Sequence, residues 1–216
     1  MLNLPFTFLH RSANPMVRHP WLLVLMHGVG SNEHDLFSLA PQIPEQFHVV
    51  SLRAPFRMGP GAFAWFDFSI EPHGERTINE PQEAESRALL EQAVAQAAQQ
   101  LGIAADHVVV GGFSQGGIMA LSLLLSRPEL MRAGVVWHSR LLAQIVPHIA
   151  PADAFHGKHL WLSHGTQDNV IPLAAAQSIR RQVQTLPLRL SYEEFNSAHE
   201  IRPAELAHTV TWLQAL

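Results

Sequence analysis

The sequence predicts an α/β fold in which a mainly parallel sheet of about seven strands is flanked by helices. Short extended apolar segments alternate with helical ones along most of the 216 residues, which is typical of this fold class. Several extended segments are continuous apolar runs, as expected for strands that are buried on both faces. The chain length favours one domain over residues 1–216, long enough to bury a full core.

Individual strands and helices can be assigned from the apolar spacing. The strand segments cover residues 6–9, 21–26, 47–52, 107–113, 133–137, 159–163 and 188–195, and the helical segments cover residues 81–101, 115–126, 173–185 and 204–216. In the first helix, Leu90, Val94 and Ala97 recur at the helical period. Asn79 is placed to cap its start and Gly102 to end it. The second helix is apolar on most sides, so we expect it to be buried.

Composition excludes several classes of function. Acidic residues outnumber basic ones by 18 to 14, which does not favour nucleic acid as a partner. The chain has no cysteine, so disulfides and thiolate metal sites are excluded. The apolar run at residues 21–26 is too short to span a membrane. No secretion signal is recognisable, and we expect a soluble, cytoplasmic protein.

Histidine is abundant, with 14 residues, but its spacing does not indicate a metal site. His156 and His159 are three residues apart, yet Gly157 lies between them. The helical motif His-Glu-x-x-His, which binds zinc in metalloproteases, does not occur. We therefore expect no metal and no other cofactor.

A serine between two glycines is the most informative motif. The segment Gly112-Phe113-Ser114-Gln115-Gly116 matches G-x-S-x-G, directly after an apolar strand and directly before the buried helix. At such a sharp strand-to-helix turn a nucleophilic serine is exposed, and the close approach of the backbone requires glycine on both sides. The motif predicts Ser114 as a nucleophile; the alternative is a glycine-rich helix start.

Two further side chains follow in the order that a serine nucleophile requires. The serine needs a base to take its proton, and the base needs a carboxylate to orient it. The expected chain order is serine, acid, histidine, each on a loop after a strand. Asp168 follows the strand at 159–163, and His199 follows the strand at 188–195. Asp153 and Asp67 are the weaker candidates for the acid.

Two backbone N–H groups are expected to stabilise the oxyanion of a reacting ester. One belongs to the residue after the nucleophile, here Gln115, and the other to a loop after an earlier strand. The loop His27-Gly28-Val29-Gly30 follows the strand at 21–26, and Val29 is the predicted donor. The alternative for this loop is an ordinary glycine turn.

Six motifs occur along nearly the whole chain in a characteristic order. They are His27-Gly28-Val29-Gly30, Arg53-Ala54-Pro55, Trp65-Phe66-Asp67, Gly112-Phe113-Ser114-Gln115-Gly116-Gly117, His164-Gly165-Thr166-Gln167-Asp168-Asn169-Val170-Ile171-Pro172 and His199-Glu200-Ile201. Together they resemble the phospholipase/carboxylesterase family of α/β-hydrolases, which includes the acyl-protein thioesterases. The resemblance implies a cofactor-free hydrolase of carboxylic esters and thioesters, with Ser114, Asp168 and His199 as the triad and Val29 and Gln115 as oxyanion donors.

The acyl site is expected to be apolar and open, without a large cap domain. Met58, Phe63, Trp65 and Leu141 lie in the two longer segments that follow strands, where ligand sites on such sheets are built. Simple packing is the alternative for each. Relatives often have a small glycine-containing turn where this chain has Trp137-His138-Ser139-Arg140. The added bulk and positive charge indicate a short acyl chain or an acidic substrate group.

These features predict a serine hydrolase that cleaves carboxylic esters, and also thioesters, of small to medium acyl chains through an acyl-enzyme on Ser114. The alternative within the same fold is that the triad serves another acyl transfer, as in a perhydrolase, a dienelactone-type hydrolase or a transacylase. A ligand-binding homologue without turnover is the non-enzymatic alternative, because fold alone does not establish function. The expected partner is a small-molecule ester or thioester, and the sequence leaves a homodimer open.

Overall fold

The computed structural model describes residues 2–70 and 76–216, which form eleven strands and five α-helices. The strands are β1 Phe8–Arg11, β2 Trp21–Met26, β3 Phe47–Leu52, β4 Phe56–Gly59, β5 Ala62–Ala64, β6 Phe68–Ile70, β7 Arg76–Ile78, β8 Val108–Phe113, β9 Ala133–Trp137, β10 His159–Gly165 and β11 Arg189–Phe195. The helices are α1 His34–Phe37, α2 Glu80–Leu101, α3 Gln115–Ser126, α4 Leu173–Val183 and α5 Pro203–Gln214.

The main sheet has seven strands in the order β1-β3-β2-β8-β9-β10-β11. Its strands pair in parallel, except that β1 pairs antiparallel with β3 at one edge. This confirms the mainly parallel α/β fold with about seven strands. The first strand begins at Phe8 rather than at residue 6, because its pairing with β3 starts at Phe8, opposite Leu52. Phe6 packs in the core ahead of the strand.

Parallel pairing brings the carboxyl ends of the strands to one edge of the sheet. The register places Phe113 at the end of β8 opposite Trp137 at the end of β9. In the same way, Gly165 at the end of β10 lies opposite Phe195 at the end of β11. The loops that follow these strands therefore start side by side, where ligand sites on such sheets are formed.

The long helices follow the sequence prediction closely. The side chain of Asn79 accepts a hydrogen bond from the backbone N–H of Gln82, and Gly102 ends α2 in the left-handed conformation with φ of 67°. In α3 every residue except Ser126 is buried, as its apolar composition predicts. Among the described residues, no helix is long and apolar enough to cross a membrane.

The sequence does not predict the two small hairpins between β3 and α2. In these hairpins β4 pairs with β5, and β6 pairs with β7. Their strands have only three or four residues, too few for an alternating pattern to be recognised. The short helix α1 is also unpredicted. Its four residues make little more than one turn, too few for a helical period to be recognised.

Close backbone contacts make Gly116 essential for the turn before α3. A Cβ atom at Gly116 would lie 1.9 Å from the carbonyl oxygen of Met26. A backbone oxygen cannot move aside as a flexible side chain does, so we expect Gly116→Ala to lower the free energy of unfolding by about 3 kcal/mol or more. Gly59→Ala is the control, because nothing lies within 4 Å of its Cβ position. Equal urea unfolding midpoints for the two variants would contradict this account.

Candidate active site

Ser114 occupies a strained position between β8 and α3. Its backbone has φ of 54° and ψ of −116°, a combination that costs a non-glycine residue about 1–3 kcal/mol. The surrounding structure holds this conformation. The backbone N–H of Ser114 donates to the carbonyl of Trp137 at 3.0 Å, and the hydroxyl of Ser139 donates to the carbonyl of Ser114 at 2.9 Å. The serine side chain is thereby presented at the carboxyl edge of the sheet.

A chain of hydrogen bonds joins Ser114, His199 and Asp168. The Oγ atom of Ser114 donates to Nε2 of His199 at 2.8 Å, and Nδ1 of His199 donates to Oδ2 of Asp168 at 2.6 Å. The three residues come from the loops after β8, β10 and β11. In this arrangement Nε2 is the unprotonated ring nitrogen, so the imidazole can accept the serine proton.

Asp168 is held in place by contacts on both carboxylate oxygens. Its Oδ1 accepts hydrogen bonds from the backbone N–H groups of Val170 at 2.9 Å and Ile171 at 2.8 Å. Burial alone would raise the pKa of Asp168, but hydrogen bonds from His199, Ile171 and His138 outweigh it and lower the pKa below its usual value. Asp168 therefore remains ionised and can stabilise a positive charge on His199.

The loop that carries Val29 is tied to β5 and to its own backbone. The N–H of Gly30 donates to the carbonyl of Phe63 at 2.8 Å, and the N–H of Ser31 donates to the carbonyl of Gly28 at 3.2 Å. Gly30 has φ of 81°, which favours glycine at this position. Val29 and Gln115 both line a cavity at Ser114. Gln115 begins α3, where a backbone N–H has no acceptor within the helix.

Buried side chains behind this loop connect four of the six sequence motifs. His27 donates from Nδ1 to the carbonyl of Gly28 at 2.7 Å and accepts at Nε2 from the N–H of Ala54 at 3.0 Å. The side-chain amide of Gln115 accepts from the N–H of Trp65 at 2.8 Å and donates to the carbonyl of Phe66 at 2.7 Å. These contacts connect the loop after β2, the loop after β3, the segment after β5 and the start of α3, and together they hold the loop that carries Val29.

Two neighbouring cavities with shared lining residues open at the carboxyl edge of the sheet. The smaller has a volume of about 70 Å³, and Ser114, Phe66 and Ile118 are among the residues that line it. The larger is a groove of about 720 Å³ with polar and apolar walls. Arg140 and Ile171 line both cavities. Among the described residues, Ser114 lines the smaller cavity, and the larger groove adjoins it at the residues that line both.

The four residues expected from the sequence to bind substrate are not among those that line the small cavity at Ser114. Met58 is exposed on β4, and Leu141 packs against the core. Trp65 is fully buried, and its indole N–H donates to the carbonyl of His27 at 2.9 Å. Phe63 uses its backbone to hold the loop at Gly30. The structure does not place these four among the residues that line the small cavity, because two of them support the backbone behind it instead.

The other two acidic candidates contact residues other than His199. Asp67 accepts from the side chain of Gln82 at 3.1 Å near the start of α2. Asp153 is fully exposed and lies 3.8 Å from His156. Of the three acids considered, Asp168 is the one that the structure brings to His199.

From the sequence, His138 is expected only as part of a bulky turn near the acyl site and Glu205 has no assigned role, whereas the structure buries both beside each other, with His138 next to Asp168. His138 lies with Nδ1 at 3.1 Å from Oδ2 of Asp168 and Nε2 at 3.1 Å from Oε2 of Glu205. Burial alone would lower the pKa of His138, but the contacts with Glu205 and Asp168 outweigh it and raise the pKa. Glu205 lies in the first turn of α5, where an acidic residue is ordinary, so no sequence signal pointed to this role.

His138, His164 and Asp168 are the described residues whose side chains come together as potential metal ligands, with atoms within 4.8 Å of one another. Protein groups already engage these atoms. The carboxylate of Asp168 accepts from His199, His138 faces Glu205, and Nε2 of His164 donates to the carbonyl of Ile171 at 2.7 Å. We therefore assign no metal to this cluster.

The fold and the site together define the class of protein. A serine at the strand-to-helix turn of a mainly parallel sheet, hydrogen bonded through histidine to an aspartate on later loops, is typical of the α/β-hydrolases. A family model described as Phospholipase/Carboxylesterase matches residues 11–216. The chain belongs to the phospholipase/carboxylesterase family and is an ester hydrolase, which confirms the resemblance seen in the sequence motifs and the expected enzyme class.

Individual relatives agree with this family. Acyl-protein thioesterase 1 of Cryptococcus neoformans is 25% identical over 207 residues, which cover 88% of this chain and 82% of the relative. Esterase YpfH of Escherichia coli is 30% identical over 160 residues, which cover 72% of this chain and 65% of the relative. Among solved structures, the Mesorhizobium loti carboxylesterase superposes with a TM-score of 0.83 at 22% identity, over 100% of this chain and 98% of that one. That likeness shows the fold.

Proposed function

We propose that this ester hydrolase acts through an acyl-enzyme on Ser114, on carboxylic esters and thioesters of small to medium acyl chains. The observation that carries the proposal is the hydrogen-bonded chain from Ser114 Oγ to His199 at 2.8 Å and on to Asp168 at 2.6 Å. The thioester part is supported by relatives named acyl-protein thioesterase 1.

In the first step Ser114 Oγ attacks the carbonyl carbon of the ester, and its proton passes to Nε2 of His199. The electron pair of the carbonyl bond moves onto oxygen, and the backbone N–H groups of Val29 and Gln115 stabilise the resulting oxyanion. Asp168 remains ionised and stabilises the imidazolium. When the oxyanion collapses, the bond to the alcohol or thiol breaks, and the leaving group takes the proton from His199.

In the second step water attacks the acyl-enzyme. His199 takes a proton from this water and then returns it to Oγ of Ser114. The products are the carboxylic acid and the free enzyme, so the overall reaction consumes one water per ester and needs no cofactor.

Covalent labelling tests this proposal directly. A fluorophosphonate reacts with a serine whose proton a neighbouring base removes, and we expect one adduct by intact mass on the wild type and none on Ser114→Ala. Folded wild-type protein that takes up no label would contradict the proposal and favour a binding protein without turnover. Ester and thioester substrates assayed side by side then rank the two substrate classes.

The small cavity at Ser114 predicts a limit on acyl-chain length. Its volume of about 70 Å³ is small beside the roughly 300 Å³ or more of usual ligand pockets. We expect kcat/KM for p-nitrophenyl esters to fall about tenfold or more between butanoate and octanoate, since a pocket that is too short rejects added methylenes. Ile118→Ala shortens a side chain in the cavity wall and thereby enlarges the cavity, so the drop in kcat/KM should occur at longer acyl chains. A flat profile from acetate to octanoate would contradict the assignment of this cavity to the acyl group.

Three further expectations stay predictions. They are a cytoplasmic location, a homodimer and the absence of nucleic acid as a partner. Small-molecule esters are the substrate class that family membership supports.

A further inference from the structure

His138 is held between two carboxylates directly behind the candidate active site. Its side chain and those of Asp168 and Glu205 are fully buried. Its backbone has φ of 48°, which L-residues rarely adopt. The two ring nitrogens face Oδ2 of Asp168 and Oε2 of Glu205, both at 3.1 Å. A strained backbone thus places the imidazole where each nitrogen meets a carboxylate oxygen.

When Asp168 and Glu205 are both ionised, this geometry favours a proton on each ring nitrogen of His138. A neutral imidazole has one bare nitrogen, and here that nitrogen would face the lone pairs of a buried carboxylate. The N–H of Gly165 also points at Nδ1, but at the longer distance of 3.4 Å. Glu205 is itself anchored as an acceptor, since the hydroxyl of Ser163 donates to its Oε1 at 2.6 Å.

Three other described rings pack around His138, and they belong to His164, Phe113 and His199. The ring of His164 on β10 stacks on it at 5.2 Å between centroids, and burial lowers the pKa of His164. From β8 the ring of Phe113 lies at 5.6 Å, and from the loop after β11 the ring of His199 lies at 5.7 Å. The raised pKa of His138 agrees with an imidazolium in this setting.

We propose that His138, held as an imidazolium between Asp168 and Glu205, is a positioning residue that keeps the enzyme active at lower pH by opposing protonation of His199. The proposal rests on the proposed function, in which His199 is the base. His138 acts through Asp168, because both histidines donate to the same carboxylate oxygen, Oδ2.

The size of the effect follows from the distance between the two rings. At an effective dielectric constant near 20, a unit charge about 6 Å away changes the titration of a neighbouring group by about one to two pH units. Removing the positive charge of His138 removes the repulsion that opposes an imidazolium on His199. The acidic limb of the kcat/KM profile then moves toward neutral pH by about that amount.

His138→Asn is the variant that separates charge from structure. Asparagine tolerates positive φ, and its amide can still donate to Asp168, but it carries no charge. We expect kcat/KM at pH 6 to fall about tenfold or more relative to wild type, and to return close to the wild-type value at pH 8.5. His164→Asn is the matched control. His164 is also buried and lies 3.4 Å from Oδ2 of Asp168, but burial lowers its pKa, so the substitution removes no charge. The acidic limb of its kcat/KM profile should keep the wild-type midpoint.

Direct titration of the wild type gives a second measurement that needs no variant to fold. In protein labelled with ¹⁵N-histidine, one imidazole should remain charged well above the usual histidine pKa of about 6.5, and in Glu205→Gln that imidazole should lose its proton at lower pH. Absence of such an imidazole overturns the proposal. The proposal is also overturned if a folded His138→Asn variant keeps the wild-type acidic limb in its kcat/KM profile, or if its kcat/KM falls equally at every pH. Esterase activity that survives in Ser114→Ala would instead overturn the proposed function.

Discussion

Ser114→Ala is expected to lower kcat/KM for any ester substrate by about 10⁵-fold or more. The reason is that the substituted protein has no hydroxyl to form the acyl-enzyme, while the oxyanion donors and His199 remain. The residual rate is that of water attacking a bound ester. Steady-state kinetics with a chromogenic ester, on protein purified free of host esterases, gives the ratio.

Ser122→Ala is the control for this substitution. Ser122 is buried in the same helix that Ser114 precedes, and its hydroxyl has no hydrogen-bond partner among the described residues. The change should leave kcat/KM within about twofold of wild type, since buried positions away from the site affect stability more than chemistry. An active Ser114→Ala variant would show that another group performs the attack.

Asp168→Asn is expected to lower kcat by about 10⁴-fold while leaving the fold intact. The amide oxygen should take the place of Oδ1, because two backbone N–H groups at Val170 and Ile171 require an acceptor there. The amide NH₂ then points at His199 and donates to Nδ1. His199 is thereby forced into the tautomer that carries its proton on Nε2, and it cannot accept the serine proton.

Asp153→Asn is the matched control for the aspartate. Asp153 is exposed, so its substitution should change neither kcat nor the unfolding midpoint. Circular dichroism and urea unfolding establish that both variants fold. A folded Asp168→Asn variant with more than about a tenth of the wild-type kcat would contradict the role assigned to Asp168.

The turn at Ser114 shows why part of this site is predictable from the sequence. The glycines at 112 and 116 are required by contacts within a few residues of the serine and with the neighbouring strand, and such backbone constraints leave a local signature. The order of Asp168 and His199 is equally readable, because each follows a segment that the sequence predicts to be a strand. The α/β fold could be inferred on the same basis.

Contacts between distant loops leave no such signature. The sequence suggests Trp65 and Phe63 as substrate contacts, but the structure uses Trp65 to bind the carbonyl of His27 and Phe63 to hold Gly30. Both are aromatic residues in the long segment after β3, and the same apolar character suits a pocket wall or a core position. Only the direction in which the hairpins fold back decides between them.

The sequence by itself determined the alternation of strands and helices, the strained turn and the chain order of serine, aspartate and histidine. The tertiary structure decided which buried side chains contact the aspartate and the histidine of the triad. His138 and Glu205 are 67 residues apart in the chain, and each is unremarkable in its own segment. Their pairing arises because β9, β10 and α5 converge behind Asp168, where burial strengthens the interaction between charges. Periodicity and glycine requirements act over a few residues, whereas electrostatic partners depend on distance in space.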